Sequence, residues 1–161
     1  MAKRLSHVDA RGRVRMVDVS AKKVTVREAV ARGRVFMRGE TLELLRTESA
    51  PKGNVLATAH LAAVMAAKRT SDLVPLAHPV VVYAVDVEFE LDPDGPAVLI
   101  ETRVRTRGRT GVEMEALTGV AAAALTLYDM LKAIDRGITY TVALVEKSGG
   151  KTGEWRRDGG P

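Results

Sequence analysis

The feature of the sequence that most constrains the fold is an alternation along positions 83–91, where apolar residues from Val85 to Leu91 are separated by single charged residues. Successive side chains of a strand point to opposite faces, so this pattern predicts a strand with one buried face. Residues 92–96, with two prolines, two aspartates and a glycine, are rich in turn-forming residues, and the alternation then resumes along 97–105. The sequence therefore predicts a hairpin whose second strand buries Val98, Ile100, Thr102 and Val104.

Two helices are predicted, one on each side of this hairpin in the chain. Asn54 can cap a helix that continues to about Lys68, because its side-chain oxygen can accept a hydrogen bond from a free N–H of the first turn. Residues 110–113, Thr-Gly-Val-Glu, fit a capping box, and apolar residues then keep a helical period to Gly137. Shorter elements are predicted at 35–37 (strand), 40–46 (helix) and 139–145 (strand).

The resulting order of elements is strand, helix, strand, strand, helix, strand. This order predicts an α+β fold, a ferredoxin-like sandwich in which helices pack on an antiparallel sheet. The length of 161 residues suits one domain that spans 1–161. Its ends, at about 1–12 and 156–161, are charged or rich in glycine and are expected to be frayed.

The composition excludes several kinds of chemistry. There is no cysteine, which excludes disulfides, thiolate nucleophiles and zinc sites that need sulfur. The histidines, His7, His60 and His78, are too widely spaced to predict a metal held by the protein. Because no apolar run of bilayer length and no apolar N-terminal segment is evident, a cytoplasmic protein that does not contact membranes is expected.

The charge predicts an anionic partner. The formal net charge is +5 and the pI is about 9.7, so nucleic acid and nucleotide phosphates both qualify as partners. The aromatic residues are scattered along the chain rather than interleaved with basic residues on one strand face. A platform for base stacking therefore has little support, and no nucleic-acid partner is expected.

His78 lies between Pro75 and Pro79, which hold the backbone extended at a connection between a helix and a strand. A rigid loop of this kind is a favourable place for a functional side chain. The alternative is that the histidine only satisfies a buried loop carbonyl, and this segment alone favours that alternative.

Glu113 and Glu115 stand at the start of the long predicted helix. Residues two apart on a helix point in nearly opposite directions, so they are not expected to form a carboxylate pair, and Glu113 has an adequate role in the capping box. Glu115 follows Arg107-Gly108-Arg109-Thr110-Gly111, a segment that could hold phosphate at a helix N-terminus.

Asp129 and Lys132 are three residues apart and face one direction on the same helix. An ordinary surface ion pair is the simpler interpretation, but a desolvated pair could exchange protons with a bound heterocycle near neutral pH. Lys68 and Arg69 end a predicted helix, where cations also have a purely structural role.

Six segments of the chain, in order, resemble one known family: Met16-Val17-Asp18-Val19-Ser20-Ala21-Lys22, Ala67-Lys68-Arg69-Thr70, Leu76-Ala77-His78-Pro79, Thr110-Gly111-Val112-Glu113-Met114-Glu115-Ala116-Leu117-Thr118, Tyr128-Asp129-Met130 and Lys147-Ser148-Gly149-Gly150-Lys151. The family is molybdenum cofactor biosynthesis protein C, the cyclic pyranopterin monophosphate synthases. The likeness runs from His7 to Trp155. The family usually has a cysteine where this chain has Ala77, so an essential thiol at that position is excluded.

The resemblance implies a lyase that converts 3′,8-cyclo-7,8-dihydroguanosine 5′-triphosphate to cyclic pyranopterin monophosphate and releases pyrophosphate. It implies a ferredoxin-like subunit in a homohexamer, a trimer of dimers with active sites between subunits. No cofactor is implied. Mg²⁺ can accompany the substrate triphosphate, but nothing in the sequence fixes it to the protein.

The resemblance also implies roles for particular residues. By this resemblance, the acid/base role falls to Lys52, Asp129 and Lys132. This role requires that burial moves their pKa values toward neutrality. The resemblance also assigns a set of residues to the pocket around the base and sugar: Leu76, Ala77, His78, Met114 and Glu115. Glu113 is similar to a further carboxylate of the family's site. By the same resemblance, the triphosphate is bound by Lys68, Arg69 and Lys147.

The alternative function is a non-catalytic RNA-binding α+β domain, suggested by the fold and the charge. Its weakness is that the sequence offers no stacking face and places its unusual residues in loops and at helix ends. RNA binding would lose affinity steeply with added salt, whereas a nucleotide triphosphate would bind in a stoichiometric titration.

Overall fold

The computed structural model of the chain describes Val8 and residues 11–158. Its helices and strands are β1 (Thr25–Phe36), α1 (Gly39–Arg46), α2 (Val55–Lys68), α3 (Thr70–Leu73), β2 (Val82–Leu91), β3 (Ala97–Gly108), α4 (Glu113–Leu131), β4 (Thr139–Ser148) and β5 (Trp155–Arg156). The strands form one antiparallel sheet in the order β2-β3-β1-β4-β5. The α+β fold with helices on an antiparallel sheet is therefore confirmed, and the narrower ferredoxin-like assignment stays a prediction.

Helices α2 and α4 form the layer that covers one face of the sheet. They pack against each other, and α4 also packs on β1, β3 and β4. The two helices run antiparallel, because Lys52, just before α2, contacts Asp129 near the end of α4, whereas a Cβ added at Gly119 would lie 3.4 Å from the carbonyl oxygen of Ala63. The C-terminal end of α2 therefore lies at the N-terminal end of α4.

The core lies between this helix layer and the sheet. The inward side chains predicted for β3, Val98, Ile100, Thr102 and Val104, are all fully buried. The inner face of β1 carries small residues, and α4 approaches the sheet most closely there. A Cβ added at Gly33 would lie 2.5 Å from a methyl carbon of Val120, so a larger residue at position 33 would push the helix away from the sheet.

The outer face of the sheet carries a row of ion pairs. Arg105 pairs with Asp86 of the neighbouring strand at 2.9 Å. Arg103 pairs with Glu28 of β1, at 2.7 Å, and with Glu101 of its own strand. Because these pairs are partly or largely exposed, each contributes little to the free energy of unfolding.

The capping prediction holds for α2 and is wrong for α4. The Asn54 side chain accepts a hydrogen bond from Ala57 N at 2.9 Å and begins α2 as expected. Helix α4 begins after Val112 with no side-chain cap, so Thr110 and Glu113 do not form a capping box. The helix also ends at Leu131 rather than near Gly137, since residues 132–134 and 136–137 form turns.

The ends of the chain differ in part from the sequence-based expectation. Most of the predicted frayed segment 1–12 lies outside the described residues, as do residues 159–161. Arg156 belongs to β5 and pairs with Glu146, and the backbone N–H of Arg157 donates to the Val145 carbonyl. The C-terminal segment is therefore hydrogen-bonded to the sheet as far as Arg157.

Helix α4 is long and apolar enough, by length and composition, to span a membrane, contrary to the expectation that no segment reaches this length. In the fold, however, the inward-facing apolar residues of α4 are part of the core. Val120, Ala123, Leu127 and Leu131 have no exposed surface, because α2 and the sheet cover them. Burial against α2 and the sheet accounts for the apolar residues on this face of α4.

Candidate active site

A cavity of about 270 Å³ opens at the N-terminal end of α4. It is lined by the connection between α3 and β2, by the first turn of α4 with the two residues Thr110 and Gly111 before it, and by three residues of the N-terminal segment. All residues predicted around the base and sugar of a substrate are among those that line it, together with Glu113: Leu76, Ala77, His78, Met114 and Glu115. The fold thus brings together two segments that are more than thirty positions apart.

His78 both lines this cavity and satisfies a loop carbonyl. Its Nε2 lies 2.7 Å from the carbonyl oxygen of Val17, so Nε2 carries the proton and donates it to that oxygen. In the neutral ring this leaves Nδ1 as an acceptor. The two interpretations of His78 from the sequence are therefore compatible, because one ring nitrogen anchors the N-terminal segment that forms a wall of the cavity.

Glu115 is the buried carboxyl group of the cavity, with only 3% of its surface exposed. Burial raises the pKa of Glu115 to about 7, the hydrogen bond from its own backbone N–H lowers it in part, and the charge of Glu113 raises it further. Protonated and ionised forms are then both well populated near neutral pH. The expectation that Glu113 and Glu115 do not act as a pair is wrong, since both carboxyls line one cavity and interact electrostatically.

Gly111 explains the position of the Glu113 carboxylate. A Cβ added at Gly111 would lie only 1.7 Å from Oε2 of Glu113, so the carboxylate folds back against the glycine backbone. The residues that suggested a capping box therefore have another role. Gly111 makes room for a carboxylate at the mouth of the cavity, and any side chain at position 111 would displace it.

Lys52, Asp129 and Lys132 form a cluster at the other end of α4. Lys132 Nζ donates to Asp129 Oδ1 at 2.5 Å, and Lys52 Nζ donates to the Asp129 carbonyl oxygen at 2.9 Å. Lys52 Nζ also lies 4.0 Å from Asp129 Oδ2. The structure thus brings together all the residues predicted as the acid/base group.

This cluster is exposed to solvent, and 60% of the Asp129 side-chain surface is accessible. The hydrogen bond from Lys132, the Lys132 charge and the Lys52 charge lower the pKa of Asp129, and the same hydrogen bond and the Asp129 charge raise the pKa of Lys132. The expectation that burial moves these pKa values toward neutrality is therefore wrong within a single chain. The two groups are held in their charged forms.

The two groups of predicted residues are far apart in one chain. Glu115 and Asp129 lie on one continuous helix, α4, fourteen positions apart. At the rise of an α-helix this separation is about 21 Å along the axis. One chain therefore does not bring both groups to the same reacting atoms.

The predicted triphosphate ligands are dispersed. Lys68 and Arg69 are exposed at the C-terminal end of α2, which is the end of the layer where the Glu115 cavity opens, but they do not line that cavity. Lys147 donates from Nζ to the Thr152 hydroxyl and to the Gly153 carbonyl oxygen. It lines a separate cavity of about 590 Å³ between β1, β4 and β5.

Sequence reasoning missed several basic residues near the Glu115 cavity. Lys22 lines that cavity and also an adjoining one of about 660 Å³, where Lys23, Arg27 and Lys151 are further cations. Lys22 and Lys151 stand in segments that resemble the family, but no role was inferred for them from the resemblance. Arg27 gave no signal, because it lies between Val26 and Glu28 in a part of β1 without a regular alternation of apolar and polar residues.

No three histidine, aspartate or glutamate side chains of Val8 and residues 11–158 come together as a group that could hold a metal ion. One histidine and two carboxyl groups line the Glu115 cavity, and Glu115 is protonated in part near neutral pH. The absence of a metal held by the protein stays a prediction.

The fold and the cavity define an α+β protein with a pocket that contains a histidine and a buried carboxyl group whose pKa is raised to about 7. The MoaC family matches residues 16–150, which include every segment that lines the Glu115 cavity, and the chain belongs to this family.

Relatives match almost the whole chain. A protein of Thermomicrobium roseum named cyclic pyranopterin monophosphate synthase is 56% identical over 155 residues, which cover 96% of this chain and 93% of the relative. Proteins with the same name from a Roseiflexus species and from Parvibaculum lavamentivorans are 57% and 51% identical, and each match covers 96% of this chain and 98% of the relative.

Proposed function

We propose that the chain is a lyase that converts 3′,8-cyclo-7,8-dihydroguanosine 5′-triphosphate to cyclic pyranopterin monophosphate and pyrophosphate in molybdenum cofactor biosynthesis. Relatives that share more than half of its residues are named cyclic pyranopterin monophosphate synthase. The observation that carries the proposal is that His78, Glu113, Met114 and Glu115 converge on one cavity, where Glu115 has a pKa of about 7. A group with this pKa can both donate and accept protons at neutral pH.

The reaction opens and recloses a ring system, which needs several proton transfers. Asp129, Lys52 and Lys132 are the proposed catalytic acid/base group, and their mutual contacts support a single unit. In the free chain Asp129 is held as a carboxylate and Lys132 as an ammonium group. Covering this cluster from solvent would strengthen the interactions between its charges. It would also bring the charged and the neutral forms of these side chains closer in free energy.

Substrate binding is assigned to the cavity and to the cations around it. Leu76, Ala77 and Met114 provide apolar walls for the base and sugar, and His78, Glu113 and Glu115 provide polar contacts. Lys68, Arg69 and Lys147 are proposed to neutralise the phosphates. For Lys68 and Arg69 this proposal is supported by their exposure at the same end of the helix layer as the cavity.

The separation of the two groups supports a shared active site. Because about 21 Å along one helix separates Glu115 from Asp129, a second copy must bring its own Asp129 group next to the Glu115 cavity. A two-fold contact would do this twice by symmetry. We propose that the enzyme is a homohexamer, a trimer of such dimers.

The enzyme is further proposed to be cytoplasmic, without a cofactor, a nucleic-acid partner or a membrane partner. The apolar helix α4 is accounted for by the core, which supports the absence of a membrane partner. The outer sheet face bears carboxylates among its arginines, such as Glu28, Asp86 and Glu101, and these would repel a phosphate backbone. Mg²⁺ is proposed to arrive, if at all, with the substrate triphosphate.

The proposed reaction is tested by incubating the full chain with 3′,8-cyclo-7,8-dihydroguanosine 5′-triphosphate. Cyclic pyranopterin monophosphate and pyrophosphate should form in equal amounts, as measured by mass spectrometry and by a pyrophosphate assay. A parallel titration with single-stranded RNA over a range of salt concentrations tests the alternative. No product together with tight, strongly salt-dependent RNA binding would contradict the proposal.

A further inference from the structure

Asp135 is a buried carboxylate that lies outside the Glu115 cavity. Only 3% of its surface is exposed, and it stands in the connection between α4 and β4. The other two buried carboxyl groups in the described part of the chain have an evident place. Glu115 lines the cavity, and Asp92 pairs with Arg34 in the turn between β2 and β3. Because a buried charge is costly unless it is paired and hydrogen-bonded, the partners of Asp135 indicate what it does.

The Asp135 carboxylate caps helix α1 from a distant part of the chain. Its Oδ2 accepts a hydrogen bond from the backbone N–H of Arg38 at 2.8 Å and another from the hydroxyl group of Thr41 at 3.1 Å. Arg38 precedes the first turn of α1, and its own side chain provides no cap. The hydrogen bond from Arg38 lowers the pKa of Asp135 by more than burial raises it, so the carboxylate stays ionised at neutral pH. Asp135 therefore takes the place of a local capping residue, although it lies 97 positions away from Arg38.

The contacts between these two segments run in both directions. The second oxygen of Asp135, Oδ1, accepts a hydrogen bond from the backbone N–H of Gly137 at 3.0 Å and lies 3.5 Å from Nε of Arg38. In return, Nη2 of Arg38 donates to the carbonyl oxygen of Ile134. The Asp135 clasp, which consists of Arg38, Thr41, Ile134, Asp135 and Gly137, thus fixes the start of α1 to the connection after α4.

Each of the two segments joined by the Asp135 clasp leads to a lysine of the proposed acid/base group. Lys132 is the first residue after α4, and the backbone N–H of Asp135 donates to the Leu131 carbonyl oxygen at 2.9 Å. Lys52 lies in the connection that follows α1. The two lysines meet at Asp129, where Lys132 Nζ lies 2.5 Å from Oδ1 and Lys52 Nζ lies 2.9 Å from the carbonyl oxygen. A shift of α1 relative to the end of α4 would therefore separate groups that must act together.

The lysine side chains do not by themselves fix this arrangement. Their exposed fractions are 46% for Lys52 and 50% for Lys132. Holding two long, exposed side chains in one geometry costs side-chain entropy, which offsets much of the attraction between their charges and a carboxylate. The positions of the two ammonium groups therefore depend on the backbone that carries them, and the Asp135 clasp fixes that backbone on both sides.

We infer that Asp135 is a positioning residue of the proposed acid/base group, which holds the segments of Lys52 and Lys132 in the arrangement that proton transfer requires. Asp135 does not line the Glu115 cavity, so it acts through the backbone of these segments. The inference rests on the proposed function, because it connects Asp135 to the reaction through the two lysines. A displacement of about 1 Å at a reacting group can cost about 100-fold in rate, so the clasp affects catalysis without touching the substrate.

The first measurement is the steady-state kinetics of Asp135→Ala with the cyclic triphosphate. This variant should lower kcat about 30-fold and leave KM within about threefold, because it displaces the acid/base group and leaves the Glu115 cavity unchanged. Asp135→Asn keeps an oxygen acceptor for Arg38 and Thr41, so it should retain kcat within about threefold of the wild-type value. A kcat for Asp135→Asn as low as that of Asp135→Ala would contradict a role through these hydrogen bonds.

Asp92→Ala is the matched control. Asp92 is the other buried aspartate of the described residues, and it accepts a hydrogen bond from Asp94 N and pairs with Arg34. Its removal should lower the stability of the protein, as measured by denaturant titration, but should leave kcat within about twofold. Equal losses of kcat in Asp92→Ala and Asp135→Ala would overturn the inference, because activity would then follow stability rather than the positions of the lysines.

Arg38→Gln covers the case in which Asp135→Ala does not fold. It removes the exposed guanidinium group that donates to Ile134 and leaves the buried carboxylate and its backbone partners in place. The value of kcat should fall about threefold to fivefold with KM unchanged, since half of the clasp remains. An unchanged kcat for Arg38→Gln would overturn the inference.

Crystal structures of Asp135→Ala and Asp92→Ala give a readout that does not depend on activity. In Asp135→Ala the two ammonium groups should move away from Asp129 by about 1 Å or more, whereas in Asp92→Ala the contacts of 2.5 Å and 2.9 Å should persist. If the wild-type protein forms no product, the proposed reaction is wrong, but these structures still decide whether Asp135 holds the cluster. An Asp135→Ala structure in which both lysine contacts are unchanged would overturn the inference.

Discussion

The two ends of helix α4 present the same kind of side chain in opposite environments. Glu115, in the first turn, is 3% exposed, and burial raises its pKa to about 7. Asp129, in the last turn, is 60% exposed, and the hydrogen bond from Lys132 lowers its pKa. One end of the helix therefore has a carboxyl group that is half protonated near neutral pH, whereas the other end has a carboxylate held fully ionised.

This difference shows which part of the candidate site a single chain completes. The Glu115 end is enclosed by the α3–β2 connection and by the N-terminal segment that His78 anchors through Val17. The Asp129 end has its contacts in place but remains open to water. A proton-transfer group gains most from a site that excludes water, and in the proposed oligomer a second copy covers the Asp129 cluster.

The largest effect is expected for Asp129→Asn, which keeps the shape of the side chain and removes a charge and a proton acceptor. Turnover should fall by about 10²–10⁴-fold while the substrate still binds, since general acid/base catalysis typically contributes this much. Single-turnover assays with the cyclic triphosphate measure it. Near-normal product formation would show that Asp129 forms only a surface ion pair. The contrast between the two ends of α4 would then have no bearing on catalysis.

An effect of intermediate size is expected for the pH dependence of stability at Glu115. Because the pKa in the folded protein is raised from 4.5 to about 7, the folded state binds more protons than the unfolded state between these values. The free energy of unfolding should therefore fall as the pH rises through this window. The buried group accounts for a loss of roughly 3 kcal/mol, which Glu115→Gln should abolish.

Denaturant titrations at pH 4.5, 6 and 8 measure this slope. Asp129→Asn is the matched control and should keep the wild-type slope, because the pKa of Asp129 is lowered and this group stays ionised throughout the window. If Glu115→Gln and the wild-type protein lose stability equally between pH 4.5 and 8, Glu115 is not the buried titrating group.

A smaller effect is expected for Lys68→Ala, at the C-terminal end of α2. A cation that contacts phosphate mainly through its charge should change substrate affinity by about tenfold or less, and the loss should shrink as salt is added. Titrations at two salt concentrations measure it. Unchanged affinity at low salt would show that Lys68 only stabilises the end of its helix.

The sequence predicted the elements whose hydrophobic pattern is strong. The hairpin of β2 and β3 and the Asn54 cap of α2 followed from alternation and from local side-chain chemistry. Most of β1 was missed because its buried face carries Ala29, Ala31 and Gly33, which α4 requires to be small and which give little apolar contrast.

The structure places the predicted site residues in two groups of neighbours, and the roles of these residues stay predictions. The segments around His78 and Glu115 do form one cavity, but nothing local in the sequence indicated that Gly111 makes room for the Glu113 carboxylate rather than for a cap. The adjoining cavity of about 660 Å³ brings Lys22 and Arg27, at the start of the chain, next to Lys151, more than 120 positions away. Their proximity depends on the pairing of β1 with β3 and β4, which residue patterns do not encode.

The central claim is that the Glu115 end of one copy and the Asp129 end of another form one active site. Mixing inactive Glu115→Ala with inactive Asp129→Asn tests it most directly, with refolding or prolonged incubation to exchange subunits and native mass spectrometry to show mixed oligomers. For random mixing in equal amounts, about a quarter of the sites draw both intact residues from different chains, so about a quarter of the wild-type activity should return. If mixed oligomers form and no activity returns, the two ends of α4 do not serve a shared site.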